Sequence, residues 1–187
     1  MRSSQSTRSQ SSESPIRLLV AVTGEDHPKA CTGRRLLRRG WAVLWSPERL
    51  GGPPPILLDP RATEVLSPAD RTVAVQGGLL VVDCSWNRLG ARGRLDPRAT
   101  GGQRLPRRRL PWLLAGNPQH YGRLGQLNTA EAFAAALWVL GEEALAARVA
   151  DTFAGGPGFL QLNDQPLQVY ARTHSATELQ AAEREFF

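Results

Sequence analysis

Four side chains that could take part in chemistry follow one short apolar run, in the stretch VVDCSW. Residues 79–83 have the composition of a strand buried on both faces, and the run ends at Asp83, Cys84, Ser85 and Trp86. Open α/β sheets bind their ligands at the carboxyl ends of their strands. A carboxylate there could accept a proton as general base, and an indole could cover part of a ligand. Asp83 and Trp86 are therefore candidate site residues.

Each of these side chains also has a structural interpretation. Asp83 could cap the turn that follows its strand, and Trp86 could pack in the core. Cys84 and Ser85 are poor candidates for a nucleophile, because no histidine lies near them in sequence and no G-x-S-x-G elbow is present. The glycine-rich phosphate cradles G-x-G-x-x-G and G-x-x-x-x-G-K-[ST] are absent as well.

The elements that must position these residues follow from hydrophobic runs and from helix caps. The predicted strands cover residues 15–22, 41–46, 56–60 and 79–83. A short basic helix over 31–40 closes at Gly40. Ser67 caps a second helix that has Pro68 in its first turn and Gly77 past its end. After an apolar segment at 110–118, the predicted helices cover 129–141, 142–154, 157–173 (with a break near Pro166) and 176–187.

This order of elements predicts an α/β first part and a helical last part. Residues 1–14 are rich in Ser and Gln and are expected to be a disordered tail. We place an N-terminal α/β lobe at 15–77 and a second domain at 78–187, which contains the candidate ligand-binding strand end and the helical region.

Composition restricts the class of protein. The chain has 187 residues, of which 41% are hydrophobic, so it can form a substantial core. It contains no apolar run of about 20 residues and no secretory signal pattern. Two isolated cysteines and three scattered histidines form no metal or disulfide pattern. We therefore expect a cytoplasmic protein without a membrane segment or a metal.

The charge is distributed unevenly. Residues 1–109 contain 18 Arg, one Lys and 9 acidic residues, whereas residues 110–187 contain 4 Arg and 8 acidic residues. Between Arg88 and Arg109 there are 8 Arg and a single acid, Asp96. Such clustering is typical of a surface that contacts the phosphate backbone of a nucleic acid, although a genome-wide arginine bias would also enrich the residue. The predicted RNA-binding residues are Arg88, Arg92, Arg94, Arg104, Arg107, Arg108 and Arg109.

The remaining segments at strand ends are CTG, LLDP, LPWLLAGNPQHYG and LGQLNTAEA. They offer apolar surfaces, backbone groups, hydroxyls and one carboxylate at the end of a buried strand. This mixture suits a neutral, flat heterocycle such as adenine, which is sandwiched by apolar groups and read at its edge by the backbone.

Five motifs, DHPKACTGRRL, ILLDP, VVDCSW, LPWLLAGNPQHYG and LNTAEAFAAAL, occur in the order found in one family. Over about residues 16–172 the chain resembles the small-subunit (16S/18S) rRNA aminocarboxypropyltransferases. The resemblance implies a SPOUT-like knotted, methyltransferase-type α/β fold with a small N-terminal lobe and a helical C-terminal region. It also implies transfer of the 3-amino-3-carboxypropyl group of S-adenosylmethionine to N3 of a hypermodified uridine or pseudouridine, with release of 5′-methylthioadenosine.

The resemblance also implies the cofactor contacts. Thr32 is expected at the adenine edge, Val82 and Leu110 through their backbones, Trp86 over the sulfonium methyl and Thr129 near the amino-acid moiety. The predicted pocket walls are Leu58, Pro60 and Leu127. One departure is Gly125, which stands where the family often has an aromatic residue. A backbone contact can survive at Gly125, but a side-chain wall cannot.

Within this hypothesis Asp83 is the candidate general base for the acceptor imide, and the implied partner is small-subunit rRNA or the pre-ribosomal small subunit. Two alternatives remain open at this level: the same reaction on a tRNA uridine, and an RNA-binding assembly factor without catalysis. The oligomeric state is open too.

Overall fold

The computed structural model of the chain describes residues 16–22, 32–46, 52–83 and 104–187. The predicted tail at 1–14 lies outside these ranges, as do Cys84, Ser85, Trp86 and the first half of the arginine-rich loop. All structural statements below concern the described residues.

The centre of the fold is a parallel sheet of five strands in the order β2-β1-β4-β3-β5. Its strands are β1 (Leu18–Val22), β2 (Val43–Leu44), β3 (Ile56–Leu58), β4 (Leu79–Asp83) and β5 (Arg107–Arg108). The four predicted strands are confirmed in shorter form. The fifth, β5, was missed because its two arginines carry no apolar pattern; as an edge strand, it is joined to β3 by backbone pairing.

The register of β4 brings the chemically interesting residues to one edge. Asp83 is paired with Val22 at the end of β1, and Val81 is paired with Leu58 at the end of β3. Because β4 lies between β1 and β3, the sheet contains strands from both sides of the boundary predicted at residues 77 and 78.

The two faces of the sheet are buried in separate apolar clusters. One face contributes Val20, Leu58 and Val81 to the main core, together with most buried helical side chains. The other face contributes Ala21, Leu80 and Val82 to a smaller cluster with Trp45. Alternate residues of a strand point to opposite faces, which explains this division and the absence of polar alternation in the sequence.

The described residues form seven α-helices in addition to the sheet. They are α1 (Thr32–Arg38), α2 (Arg71–Gly77), α3 (Thr129–Val139), α4 (Glu143–Ala150), α5 (Gly156–Leu162), α6 (Asp164–Tyr170) and α7 (Ala176–Phe186). A 3-10 turn, Pro68–Asp70, precedes α2. The predicted helices are confirmed, and none of those described is long and apolar enough to cross a membrane.

Two helix ends differ from the prediction. Gly78, with φ +91, follows α2 and donates its N–H to Ala74, whereas Gly77 is the last helical residue. The break predicted near Pro166 lies at Asn163, and Pro166 belongs to α6. A proline in the first turn of a helix loses no intrahelical hydrogen bond, so it does not mark the break.

Candidate functional site

The carboxylate of Asp83 lies between the starts of two helices at the carboxyl edge of the sheet. Its Oδ1 accepts a hydrogen bond from the hydroxyl of Thr129, the first residue of α3, at 2.7 Å. Gly33, in the first turn of α1, packs against it so closely that a Cβ would stand 2.6 Å from Oδ2. Asp83 is 8% exposed. The sequence-predicted Asp83 and Thr129 are thus brought into contact, and Gly33, which follows the predicted Thr32, packs against the same carboxylate.

This arrangement gives Asp83 a partner distant in sequence. The alternative in which Asp83 caps the following turn concerns residues that lie outside the described ranges. In the structure, the hydroxyl of Thr129 donates to the carboxylate of Asp83 at the start of α3. The helix dipole favours a negative charge at this N-terminal end. A buried carboxylate supported in this way is suited to accepting a proton or facing a cation.

The start of α3 is organised by two side chains. Asn128 precedes the helix, and its Oδ1 accepts hydrogen bonds from the N–H groups of Ala130 and Glu131, each at 2.9 Å. Glu131 in turn accepts from the N–H of Asn128 at 2.8 Å, which completes a capping box. The cap fixes the direction of the first helical turn and therefore the position of Thr129 against Asp83.

Glu131 is fully buried and joins this helix start to the segment that the AGNP motif forms. Its Oε1 accepts from the N–H of Gly116 at 2.8 Å, and its Oε2 accepts from the side-chain amide of Asn117 at 2.6 Å. Burial raises the pKa of Glu131 above its ordinary value of 4.5, although the hydrogen bonds from Asn128, Asn117 and Gly116 act in the opposite direction. As an acidic residue in the first turn of α3, Glu131 also complements the helix dipole. The connection to Asn117 was missed, since nothing in either motif shows that the two meet.

Residues 109–115 are held in place by the C-terminal helices. The carboxylate of Glu183 in α7 forms two hydrogen bonds with the guanidinium of Arg109, at 2.6 and 2.7 Å, and a third with the N–H of Trp112, at 2.8 Å. The fully buried Asn163 bonds both backbone groups of Leu114 at 2.8 Å. The helix break at Asn163 therefore supplies an amide that pairs with the segment as a neighbouring strand would.

The predicted apolar contacts are only partly brought together. Leu58 and Leu127 are buried in the same main core, and Leu110 packs against it in part. The side chain of Val82 packs with Trp45 on the opposite face of the sheet. Val82 can therefore contribute its backbone to the strand end beside Asp83. Pro60 is exposed on the turn after β3. Trp86 lies outside the described residues, and its predicted place over the sulfonium methyl stays a prediction.

Gly125 adopts a backbone conformation that favours glycine, with φ +71. Its N–H donates to the carbonyl of Leu113 at 2.8 Å, and a Cβ would stand 2.9 Å from Cζ3 of Trp112. A side chain at position 125 would therefore be strained by the backbone and opposed by the indole.

The predicted RNA-binding arginines fall into three groups. Arg88, Arg92 and Arg94 lie outside the described residues. Arg104 is exposed. The other three form ion pairs within the protein: Arg107 with the buried Asp59, Arg108 with Asp70 and Glu64, and Arg109 with Glu183. The Arg107 side chain is still 49% exposed, whereas that of Arg109 is 17% exposed. Charge clustering in a sequence does not reveal such pairing.

A cavity of about 440 Å³ lies away from the predicted cofactor contacts. Its walls come from the loop after β3, from Arg108 and from the start of α7, and they include Glu64, Asp70 and His174. Neither Asp83 nor Thr129 lines it. Among the described residues there is no group of three or more His, Cys, Asp and Glu side chains that could hold a metal ion.

Comparisons with known proteins identify the family. A family model described as "Ribosome biogenesis protein, C-terminal" matches residues 56–187. The 16S rRNA aminocarboxypropyltransferase of Methanosarcina mazei is 42% identical over 166 residues, which cover 88% of this chain and 91% of that protein. The chain belongs to the small-subunit rRNA aminocarboxypropyltransferase family. The resemblance inferred from the five motifs is thereby confirmed.

Two further relatives of the aminocarboxypropyltransferase family extend the comparison. The 18S rRNA aminocarboxypropyltransferase of Schizosaccharomyces pombe is 35% identical over 94% of this chain and 58% of that protein. The solved structure of the SAM-dependent rRNA:acp-transferase Tsr3 from Vulcanisaeta distributa superposes with a TM-score of 0.78. It is 36% identical, with coverage of 92% of this chain and 89% of that one. The predicted α/β class is confirmed.

We expect Glu131→Gln to destabilise the fold by about 1–3 kcal/mol at neutral pH. The two carboxylate oxygens accept from three converging donors, and a glutamine amide would turn an NH₂ group toward at least one of them. Chemical denaturation measures the loss. Glu143→Gln, at an exposed position in the first turn of α4, is the control and should change stability by only a few tenths of a kcal/mol. An equal loss in both variants would contradict the role given to Glu131.

The same comparison has an expected pH dependence. Because the pKa of Glu131 is higher in the folded state than its ordinary 4.5, folding is favoured by protonation of this group. The contribution of protonated Glu131 to the free energy of unfolding is fully present below pH about 4.5. It is lost as the pH rises through the folded-state pKa of Glu131. The difference in unfolding free energy between wild type and Glu131→Gln should therefore become smaller from pH 4.5 upward.

Proposed function

We propose that this protein transfers the 3-amino-3-carboxypropyl group from S-adenosylmethionine to N3 of a hypermodified uridine or pseudouridine in small-subunit rRNA. The observation that carries the proposal is the buried Asp83–Thr129 pair at the carboxyl edge of a parallel sheet. It occurs in a chain that is 42% identical to a 16S rRNA aminocarboxypropyltransferase. The family model names ribosome biogenesis, and a cytoplasmic location beside the small subunit fits that role.

The residues present fit the donor. S-adenosylmethionine combines a neutral purine, a sulfonium cation and an amino-acid end. Leu58 and Leu127 offer apolar surface, Thr32 and Thr129 offer hydroxyls, and Asp83 offers one carboxylate at the same edge. The close contact of Gly33 with Asp83 keeps α1 near the strand end. A ligand with several phosphates would need a glycine-rich cradle, which the sequence does not contain.

Orientation decides which carbon is transferred. The donor supplies a sulfonium that activates all three attached carbons, so the protein must direct the γ-carbon of the amino-acid arm to the acceptor and cover the methyl. Trp86 is proposed for the cover. The reaction breaks the S–Cγ bond, forms the N3–Cγ bond and releases neutral 5′-methylthioadenosine. The N3 proton passes to the base.

Asp83 is proposed as that base. Thr129 donates to Oδ1 and thereby fixes the orientation of the carboxylate. Thr129 is then a positioning residue for Asp83 as well as a predicted contact for the amino-acid moiety.

RNA is proposed to lie across the arginine-rich loop. Arg104 is exposed and Arg107 is half exposed, so both can reach phosphate groups. The other proposed phosphate contacts are Arg88, Arg92 and Arg94. Arg108 and Arg109 are proposed to contribute to the shape of this surface through their ion pairs with Asp70 and Glu183.

We further propose the SPOUT-like knotted topology for this chain. The parallel order of the sheet and a 36% identical solved relative with a TM-score of 0.78 support it. A crystal structure in which the backbone is traced through residues 84–103 would decide the point, because this segment joins β4 to β5.

Incubation with S-adenosylmethionine and matching small-subunit RNA should release 5′-methylthioadenosine in equal amount to the modified RNA, as measured by mass spectrometry. Release of S-adenosylhomocysteine would show methyl transfer and overturn the proposal. A tRNA and an unmodified small-subunit fragment, tested side by side, serve as controls for the acceptor.

Asp83→Asn should lower kcat by about 10²- to 10⁴-fold, as expected for loss of a general base, while donor affinity changes little. Asparagine can still accept the hydrogen bond from Thr129, so the local structure is kept. Thr129→Val, which removes the bond and leaves the carboxylate, should lower kcat less. Equal losses of kcat in the two variants would show that Asp83 acts only by positioning. Thr152→Val, which removes a buried hydroxyl bond to the carbonyl of Val149 at the end of α4, is the control for destabilisation without loss of the base.

Arg104→Ala should weaken RNA binding and reduce the slope of log K against log salt concentration by about 1, as expected for one phosphate contact. Arg109→Ala should instead lower stability, because Glu183 would lose its charged partner in a buried position. Binding measured at several salt concentrations, together with thermal unfolding, separates the two effects. An unchanged slope for Arg104→Ala would exclude it from the RNA surface.

A further inference from the structure

Trp112 combines exposure with a fixed position. Its side chain is 42% exposed, yet its backbone N–H is bound by Glu183 and its backbone carbonyl accepts from the hydroxyl of Tyr170 at 3.2 Å. The guanidinium of Arg109 stands over the ring, 5.6 Å from its centroid, and is itself held by Glu183. An indole ordered in this way leaves a large apolar surface in contact with solvent, which is unfavourable unless a ligand covers it.

The indole contacts a residue predicted to face the cofactor. Its Cζ3 and Cε3 atoms lie 2.9 and 3.3 Å from where a Cβ of Gly125 would be. Gly125 has no side chain that could form a pocket wall, and the ring of Trp112 lies against this position in the structure. The tryptophan therefore occupies space that a side chain at 125 would have to share.

The segment places Trp112 on its less buried face. Burial alternates along it: Pro111, Leu113 and Ala115 are buried, whereas Leu110, Trp112 and Leu114 are not. In extended backbone, alternate residues share a face. Trp112 is thus on the face of Leu110, whose backbone is a predicted donor contact, and beside Gly125.

We propose that the indole of Trp112 forms the outer wall of the adenine pocket and packs against the purine of the donor. This inference rests on the proposed function. It assigns to the tryptophan a binding role that neither the motifs nor the departure at Gly125 indicated. Aromatic packing on a purine contributes affinity through buried area and ring contact, and it needs no charge from the ligand.

The test compares two ligands in calorimetry on the full chain. Trp112→Ala should weaken S-adenosylmethionine and 5′-methylthioadenosine by the same factor, about tenfold, because both contain the adenine and only the first contains the amino-acid arm. Trp112→Phe should recover most of the affinity. Tyr121→Ala is the matched control, since Tyr121 is an exposed aromatic residue of the neighbouring turn and should leave both affinities unchanged.

A second variant tests the contact itself. Gly125→Ala should weaken both ligands in the wild-type background by displacing the indole. In the Trp112→Ala background the added methyl no longer meets a ring, so the remaining effect should be smaller. Circular dichroism and melting temperature confirm that each variant is folded.

The outcomes separate this inference from the proposed function. If the wild type binds neither ligand, the proposed function fails. If the wild type binds both and Trp112→Ala binds them equally well, the inference is wrong and the function stands. A loss confined to S-adenosylmethionine would place Trp112 at the amino-acid end, and a loss confined to RNA affinity would make it a platform for an RNA base. Either result would overturn the adenine assignment.

Discussion

The burial of the Asp83 carboxylate at the end of β4 is the constraint on which the site depends. A carboxylate that is 8% exposed needs hydrogen-bond donors, and Thr129 provides one from the start of α3. It also needs room, which Gly33 provides because a Cβ at that position would collide with it. The middle strand of the sheet, the first helix and the first C-terminal helix therefore meet at a single side chain. Any shift of α3 along its axis would break this contact.

The position of α3 depends in turn on a second buried acid. Glu131 joins the helix start to Gly116 and Asn117, and Asn128 caps the same turn. Through these bonds the AGNP and LNTAE motifs act as one structural unit. The unit explains how both motifs can border the proposed cofactor site even though most of their polar groups are satisfied inside the protein. Their first function is to place Thr129, Leu127 and Gly125.

The C-terminal helices have a comparable function for residues 109–115. Asn163, at the break between α5 and α6, and Glu183, in α7, are buried polar residues far from this segment in sequence, and each bonds its backbone directly. Glu183 also pairs with Arg109, so one arginine of the basic cluster has a structural role in the protein interior. The helical region is therefore part of the site's architecture. It determines where Leu110 and Trp112 stand relative to the sheet.

The sequence by itself determined four of the five described strands, the main helices and the family, because buried parallel strands, helix caps and ordered motifs are local patterns. It also identified Asp83 and Thr129 as candidates. Only the tertiary structure decided which groups meet: the bond between Asp83 and Thr129, the partners of Glu131, the ion pairs of Arg107, Arg108 and Arg109, and the contact of Trp112 with Gly125. The two edge arginines of β5 and the break at Asn163 were hidden for the same reason. Hydrogen bonds and ion pairs between residues tens of positions apart depend on the packing of whole elements, and no local pattern records that packing.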